Sequence, residues 1–86
     1  MDHKSLRSII LRRLDDGGLP LDAPAKLNMR YGSKQPCSAC GEPLHPAQVE
    51  YELSYPDGRP TYLMHLGCAG LWEALRLRRG LDSAFL

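Results

Sequence analysis

Apolar residues are spaced in distinct rhythms along this chain. Between Ser5 and Asp16, Leu6, Ile9, Ile10 and Leu14 recur at helical spacing, and Gly17-Gly18 followed by Leu19-Pro20 supplies a stop, so the pattern predicts a helix over 5–16. Arg7, Arg12 and Arg13 lie mostly off that stripe, as a solvated face would. Further on, Val49, Tyr51, Leu53 and Tyr55 alternate with Glu50, Glu52 and Ser54, the cleanest period of two in the chain, which predicts a half-buried strand. Pro56-Asp57-Gly58-Arg59-Pro60 has the chemistry of a turn, and Thr61 to His65 returns as the second strand of a hairpin. From Leu66 to Arg79 the residues Cys68, Leu71, Trp72 and Leu75 share one helical face, with Gly80 suited to the position past the helix end. The stretch from Leu19 to Pro36 has no clean period and holds Pro20, Pro24, Gly32 and Pro36. It reads as an ordered loop or a short extended segment whose Leu21, Leu27, Met29 and Tyr31 are available to tie the first helix to the later segments.

Two short pairs carry the chemistry. Cys37-x-x-Cys40 and His65-x-x-Cys68 are separated by 24 residues and use every cysteine in the chain. Each two-residue gap lets both side chains bend around one tetrahedral ion, so the spacing predicts a single structural zinc held by Cys37, Cys40, His65 and Cys68. Cys37-Ser38-Ala39-Cys40-Gly41 has the composition of a zinc knuckle, with small residues between the ligands and Gly41 free to take a positive φ. His45, flanked by Leu44 and Pro46, competes for the fourth place, and His3 belongs to a terminus. His65 is preferred because it mirrors the first pair and stands at a strand-to-helix junction. Such a sulfur-rich tetrahedral site also accepts iron.

Four ligands argue against a catalytic ion, which keeps a position open for water. Pro36-Cys37-x-x-Cys40 matches half of the nucleobase-deaminase signature, yet upstream there is only His3-Lys4-Ser5 in place of the required H-x-E. A redox C-x-x-C would stand before a helix in a larger α/β unit, whereas Cys37 precedes a loop and a strand. Glu42, Glu50, Glu52 and Asp57 lie near the site in sequence. Solvation of a strand face accounts for Glu50 and Glu52 more simply than catalysis does. No enzyme is therefore expected.

Composition adds a reason for the metal. The chain has 86 residues, 43% of them apolar and 7% aromatic, with seven prolines and eight glycines, which describes one small, loop-rich globular domain. A core of that size leaves a margin on the order of 3–5 kcal/mol. Zinc in small finger peptides contributes roughly 10–16 kcal/mol of apparent binding energy. Three cysteines cannot form a closed set of internal disulfides, no segment resembles a secretion signal, and no apolar run is long enough to cross a bilayer, so a cytoplasmic, soluble protein is expected. The formal charge of +1 points to no particular partner.

Knuckle, hairpin and a helix whose first turn supplies the last two ligands follow the order of a treble-clef zinc finger. With Trp72 four residues after Cys68, residues 37–75 resemble the group containing LIM modules and the finger of poly(ADP-ribose) polymerases. Over a longer stretch, Ile9 to Leu14, Gly18-Leu19-Pro20, Cys37 to Pro43, Val49-Glu50-Tyr51-Glu52 and His65-x-x-Cys68 resemble a family of small bacterial proteins without an assigned function. That resemblance implies a fold and a metal. The expected architecture is an α+β treble clef over 37–80 with an added N-terminal helix, an ordered loop over 17–36 and a tail over 81–86, all in one domain.

Two roles fit such a module. The first is protein interaction or regulation, with Leu11, Leu77, Leu81 and Phe85 as apolar contacts. The alternative is nucleic-acid binding through Arg7, Arg12, Arg13, Lys26, Arg30, Lys34, Arg76, Arg78 and Arg79, with Tyr31 stacking on a base. Arg76, Arg78 and Arg79 also have a simpler use, offsetting the dipole at the end of the second helix. The partner expected is another protein; neither a membrane nor a small-molecule substrate is inferred.

Overall fold

A computed structural model describes residues 3–84. It contains helix α1 (His3–Asp16), strands β1 (Lys26–Tyr31), β2 (Val49–Ser54) and β3 (Tyr62–His65), and helix α2 (Leu66–Arg78). The strands form one antiparallel sheet in the order β1-β2-β3. The class is thus α+β, and the helices, hairpin and turn fall where the hydrophobic rhythm places them.

Each helix ends for a visible reason. α1 buries Ile10 and Leu14, then leaves through Gly17, whose φ of 85° suits a residue without a Cβ. The Leu19 N–H then returns to the Arg13 carbonyl (3.1 Å), and Leu19 enters the core. α2 closes in a Schellman turn around Gly80 (φ 79°): the Gly80 N–H bonds the Leu77 carbonyl and the Leu81 N–H bonds the Arg76 carbonyl. The core assembles Ile10, Leu14 and Leu19 with Leu44, Leu53, Met64, Ala69, Trp72 and Leu75.

The segment over 17–36 is more than a loop, because it contains β1. β1 forms only against β2, in a register that sets Arg30 opposite Glu50 and Asn28 opposite Glu52. Contrary to the expectation for this stretch, Leu21, Met29 (64% exposed) and Tyr31 (75%) remain open to solvent. Of the four, Leu27 packs against the core. The ties to the rest of the fold are different ones. Trp72 Nε1 donates to the Pro20 carbonyl (2.9 Å) and Arg76 Nε to the Leu21 carbonyl (2.7 Å). Arg59 clamps the Asp22 carboxylate in a two-pronged bond (2.8 and 2.7 Å) and lies over the Tyr55 ring, whose hydroxyl donates to the Asp22 carbonyl.

Glu50 overturns a second expectation. Its alternation with Val49 and Tyr51 marks it as solvated, yet Glu50 is 0% exposed while Val49 is 37% exposed. Its carboxylate accepts from Arg30 Nε (2.9 Å) and from the Ser33 N–H (2.8 Å). Burial opposes its charge, but these donors outweigh burial and hold its pKa below the ordinary value of 4.5. Just beyond β1, Gly32 crosses the 44–45 backbone so closely that a Cβ would come within 2.1 Å of the His45 carbonyl oxygen. This crossing leads the chain toward the first cysteine pair.

A buried ion pair fastens the C-terminal segment. Arg76 lies over the Trp72 ring and bonds Glu73 (2.8 Å), whose other carboxylate oxygen accepts from Ser83 Oγ and the Ala84 N–H.

Each of these buried carboxylates has a measurable consequence. Replacing Glu73 by Ala leaves Arg76 charged and unmatched, so denaturant melts should show a loss on the order of 3 kcal/mol, with early hydrogen exchange at 81–84. For Glu50, a lowered folded pKa means that its stabilisation is complete above the unfolded value and is lost as pH falls through the folded one. Glu50→Gln should melt several degrees below wild type at neutral pH, and the difference should shrink from about pH 5 downward when both proteins carry the same metal content.

Candidate metal centre

The first half of the centre is a tight turn over 37–41. The Gly41 N–H bonds the Cys37 carbonyl (2.9 Å), the Cys37 N–H bonds the Glu42 carbonyl (2.9 Å), and Pro36 bridges to Pro43. Gly41 has a φ of 80°, which lets the chain reverse there. Within the turn the Ala39 N–H points at Cys37 Sγ (3.4 Å). Ser38 binds the turn to β3, donating its N–H to the Leu63 carbonyl (2.7 Å) and accepting the Leu63 N–H on Oγ (3.1 Å).

The second half is the β3–α2 junction. His65 ends the strand and caps α2 with extended backbone (φ −59°, ψ 155°), and Cys68 follows in the first turn. At a spacing of three the two side chains lie on the same side of the helix start.

The four candidate ligand atoms meet within 4.8 Å of one another. His65 Nδ1 is 3.4 Å from Cys40 Sγ and 3.8 Å from Cys68 Sγ. A tetrahedral ion with bonds of about 2.0–2.3 Å requires edges of about 3.5–3.8 Å, so the cluster is near the size of a coordination shell. The histidine is also oriented for the task. Its Nε2 is 3.1 Å from the Pro43 carbonyl, which can only accept, so the proton resides on Nε2 and the Nδ1 lone pair faces the thiols.

Electrostatics make the same point. Cys37 is pulled down to about 4, chiefly because the Cys68 thiol donates to it, with amides of Cys40, His65 and Ala39 adding to this against the cost of burial. Cys68 is pushed up by its bond to Cys37, by burial and by the adjacent negative charge. Burial raises Cys40 as well. Three thiols this close cannot all ionise unless a cation lies among them. All three are free of disulfides. Cys68 stands in the first turn of α2, and Arg12, Arg13 and Asp16 line a hollow with Ile9 and Cys40. The donor set therefore fits one metal ion.

Other candidate residues lie elsewhere. His45 is exposed and its Nδ1 accepts the Ala47 N–H (3.0 Å). Asp57 pairs with Arg59, and Glu42 is exposed. The basic residues differ in how far they are already engaged within the chain. Arg76 is buried against Trp72 and Glu73, which removes it from any nucleic-acid surface. Arg30 is engaged by Glu50 and Glu52, and Arg79 by Asp15 (2.8 Å). Arg13 is half-buried, and Arg7, Arg12, Lys26, Lys34 and Arg78 are exposed. Among the expected apolar contacts, Leu11 is half-buried and packs against the core, where the sequence pattern suggested a free side chain. Leu81 is half-buried, Leu77 is exposed, and Phe85 lies outside the described residues.

Sequence reasoning did not find the roles of the Pro43 carbonyl and of Ser38. A backbone oxygen carries no residue signal, and the Ser38 bond to Leu63 spans a separation that only the fold closes. Compared with protein families, with curated proteins and with solved structures, the chain matches none.

Cys68→Ser and His65→Ala should each lose the metal, read as metal per chain in native mass spectrometry, and should unfold at a temperature that chelator no longer changes. Wild type should fall to the same melting point when chelator is added.

Proposed function

We propose that this chain is a non-catalytic zinc-binding module of the treble-clef type whose role is to contact another protein. The observation that carries the reading is the convergence of four soft and borderline donors, three sulfurs and one imidazole nitrogen, within 4.8 Å. Zinc is the first-row ion that such a closed tetrahedron of sulfur and nitrogen suits best. Cys37, Cys40, His65 and Cys68 fill four positions and leave none for water or substrate, which supports a structural rather than a catalytic ion. The ion would supply folding energy, because it replaces the protons of crowded thiols and holds the 37–41 turn against the β3–α2 junction.

The order of knuckle, hairpin and helix with its ligands in the first turn supports the treble-clef reading and the likeness to LIM and poly(ADP-ribose) polymerase fingers. Protein contact is favoured over nucleic acid by the state of the cations. Arg30, Arg76 and Arg79 are already paired within the chain, and those that stay exposed are spread over α1, β1, the 32–36 loop and the end of α2. Exposed apolar side chains, by contrast, adjoin one another at Met29, Tyr31 and Val49.

Cobalt substitution tests the closed site. A tetrahedral thiolate spectrum with no change on adding small anions is expected, whereas a water-exchangeable position would overturn the non-catalytic reading. Binding to a generic duplex or single strand at low salt should be absent; a clear salt-dependent affinity would overturn the preference for protein.

A further inference from the structure

The two edges of the sheet are finished differently. At β3, Ser38 closes the edge by bonding both the carbonyl and the N–H of Leu63. At β1 no backbone bond among the described residues reaches the outer side of the strand. Gly32 continues the β1–β2 ladder by donating to the Gln48 carbonyl (2.8 Å), so the even-numbered residues of β1 address β2. The N–H and C=O groups of Leu27, Met29 and Tyr31 therefore point outward. Edge strands are ordinarily guarded by a projecting charge, a proline or a bulge. Here the charge in mid-strand is spent, because Arg30 is turned across the strand onto Glu50 (2.9 Å) and Glu52 (3.1 Å).

We infer that β1 pairs antiparallel with β1 of a second copy of this chain, centred on Met29, to make one continuous six-stranded sheet. This deepens the interaction role proposed above by naming its surface and its partner. The strand is self-complementary in one register. Outward-facing residues must meet outward-facing residues, which limits the choice to shifts of two positions. Centred on Met29, Leu27 meets Tyr31 of the second copy, Met29 meets Met29, and Asn28 meets Arg30. A shift one way sets Tyr31 against Ala25, and a shift the other way sets Leu27 against Ser33. The register centred on Met29 is thus the one that matches Leu27, Met29 and Tyr31 among themselves.

The same register covers the exposed surface. Leu27, Met29 and Tyr31 project on one face, and Met29 and Tyr31 are among the most exposed large apolar residues of the molecule. They adjoin Val49, which in turn borders a hollow shared with Leu66. A two-fold axis perpendicular to the sheet brings the two stripes side by side on that face. About six new backbone hydrogen bonds would form across the axis. The interface is small, so the association is expected to depend on concentration.

Sedimentation and light scattering of the metal-loaded protein test this directly. The mass should move from 9.6 kDa toward twice that value as concentration rises from about 10 µM to about 1 mM. Met29→Lys sets two cations face to face on the axis and should remain monomeric throughout, with metal content and melting point kept because Met29 is exposed. Amide exchange at Leu27, Met29 and Tyr31 should slow with concentration in wild type only. A wild-type protein that stays monomeric at the highest concentration, or a dimer that Met29→Lys leaves intact, overturns the pairing. Metal content is read in the same samples, so the two readings fail separately. A monomer that retains one zinc defeats the edge pairing alone, and a dimer without metal defeats the zinc module alone.

Discussion

Closure of one long loop organises this molecule. The 37–41 turn and the β3–α2 junction are brought together by four side chains whose donor atoms would repel or compete for protons without a cation among them. Bringing such distant segments together costs chain entropy that a core of this size offsets only narrowly. In the proposed reading the ion meets that cost. The closure also explains why the neighbouring contacts are so economical. Ser38 ties the turn to Leu63, the Pro43 carbonyl sets the His65 ring, and the crossing at Gly32 delivers the chain to the site. Ser38 and Gly32 act through the backbone leading to Cys37 and Cys40, whereas the Pro43 carbonyl acts on the His65 ring itself.

A second fastening acts on the far side of α2. Trp72 and Arg76 reach the carbonyls of Pro20 and Leu21, so the segment leaving α1 is anchored to the helix that carries Cys68. Glu73 neutralises Arg76 and holds Ser83 and Ala84. Buried charge of this kind stabilises little beyond an apolar core of the same shape, but breaking it is costly. Its consequence is positional: α1, α2 and the last described residues keep one arrangement around the cluster.

The surface divides accordingly. Arg30 of β1 and Arg76 and Arg79 at the end of α2 are drawn into pairs with Glu50, Glu73 and Asp15, while Met29 and Tyr31 of β1 stay open. The same Arg30 that stabilises buried Glu50 is withdrawn from the strand edge. Stability of the sheet and availability of its edge are therefore linked through one side chain.

Local pattern alone was enough for the two helices, the hairpin, the glycine at each reversal and the four residues of the cluster, because helical stripes, turn chemistry and ligand gaps are short-range features. Three things were settled only by folding. β1 has no period of its own, since Lys26 to Tyr31 becomes a strand by pairing with residues more than 17 positions away. Glu50 looks solvated by alternation, yet the Arg30 and Ser33 donors that bury it arrive through that same pairing. Arg76 looks like a helix-end cation, but its place beneath Trp72 depends on the Leu21 carbonyl, more than fifty residues upstream. In each case the deciding partner is remote along the chain, and a side chain's charge or polarity does not say which remote group will reach it.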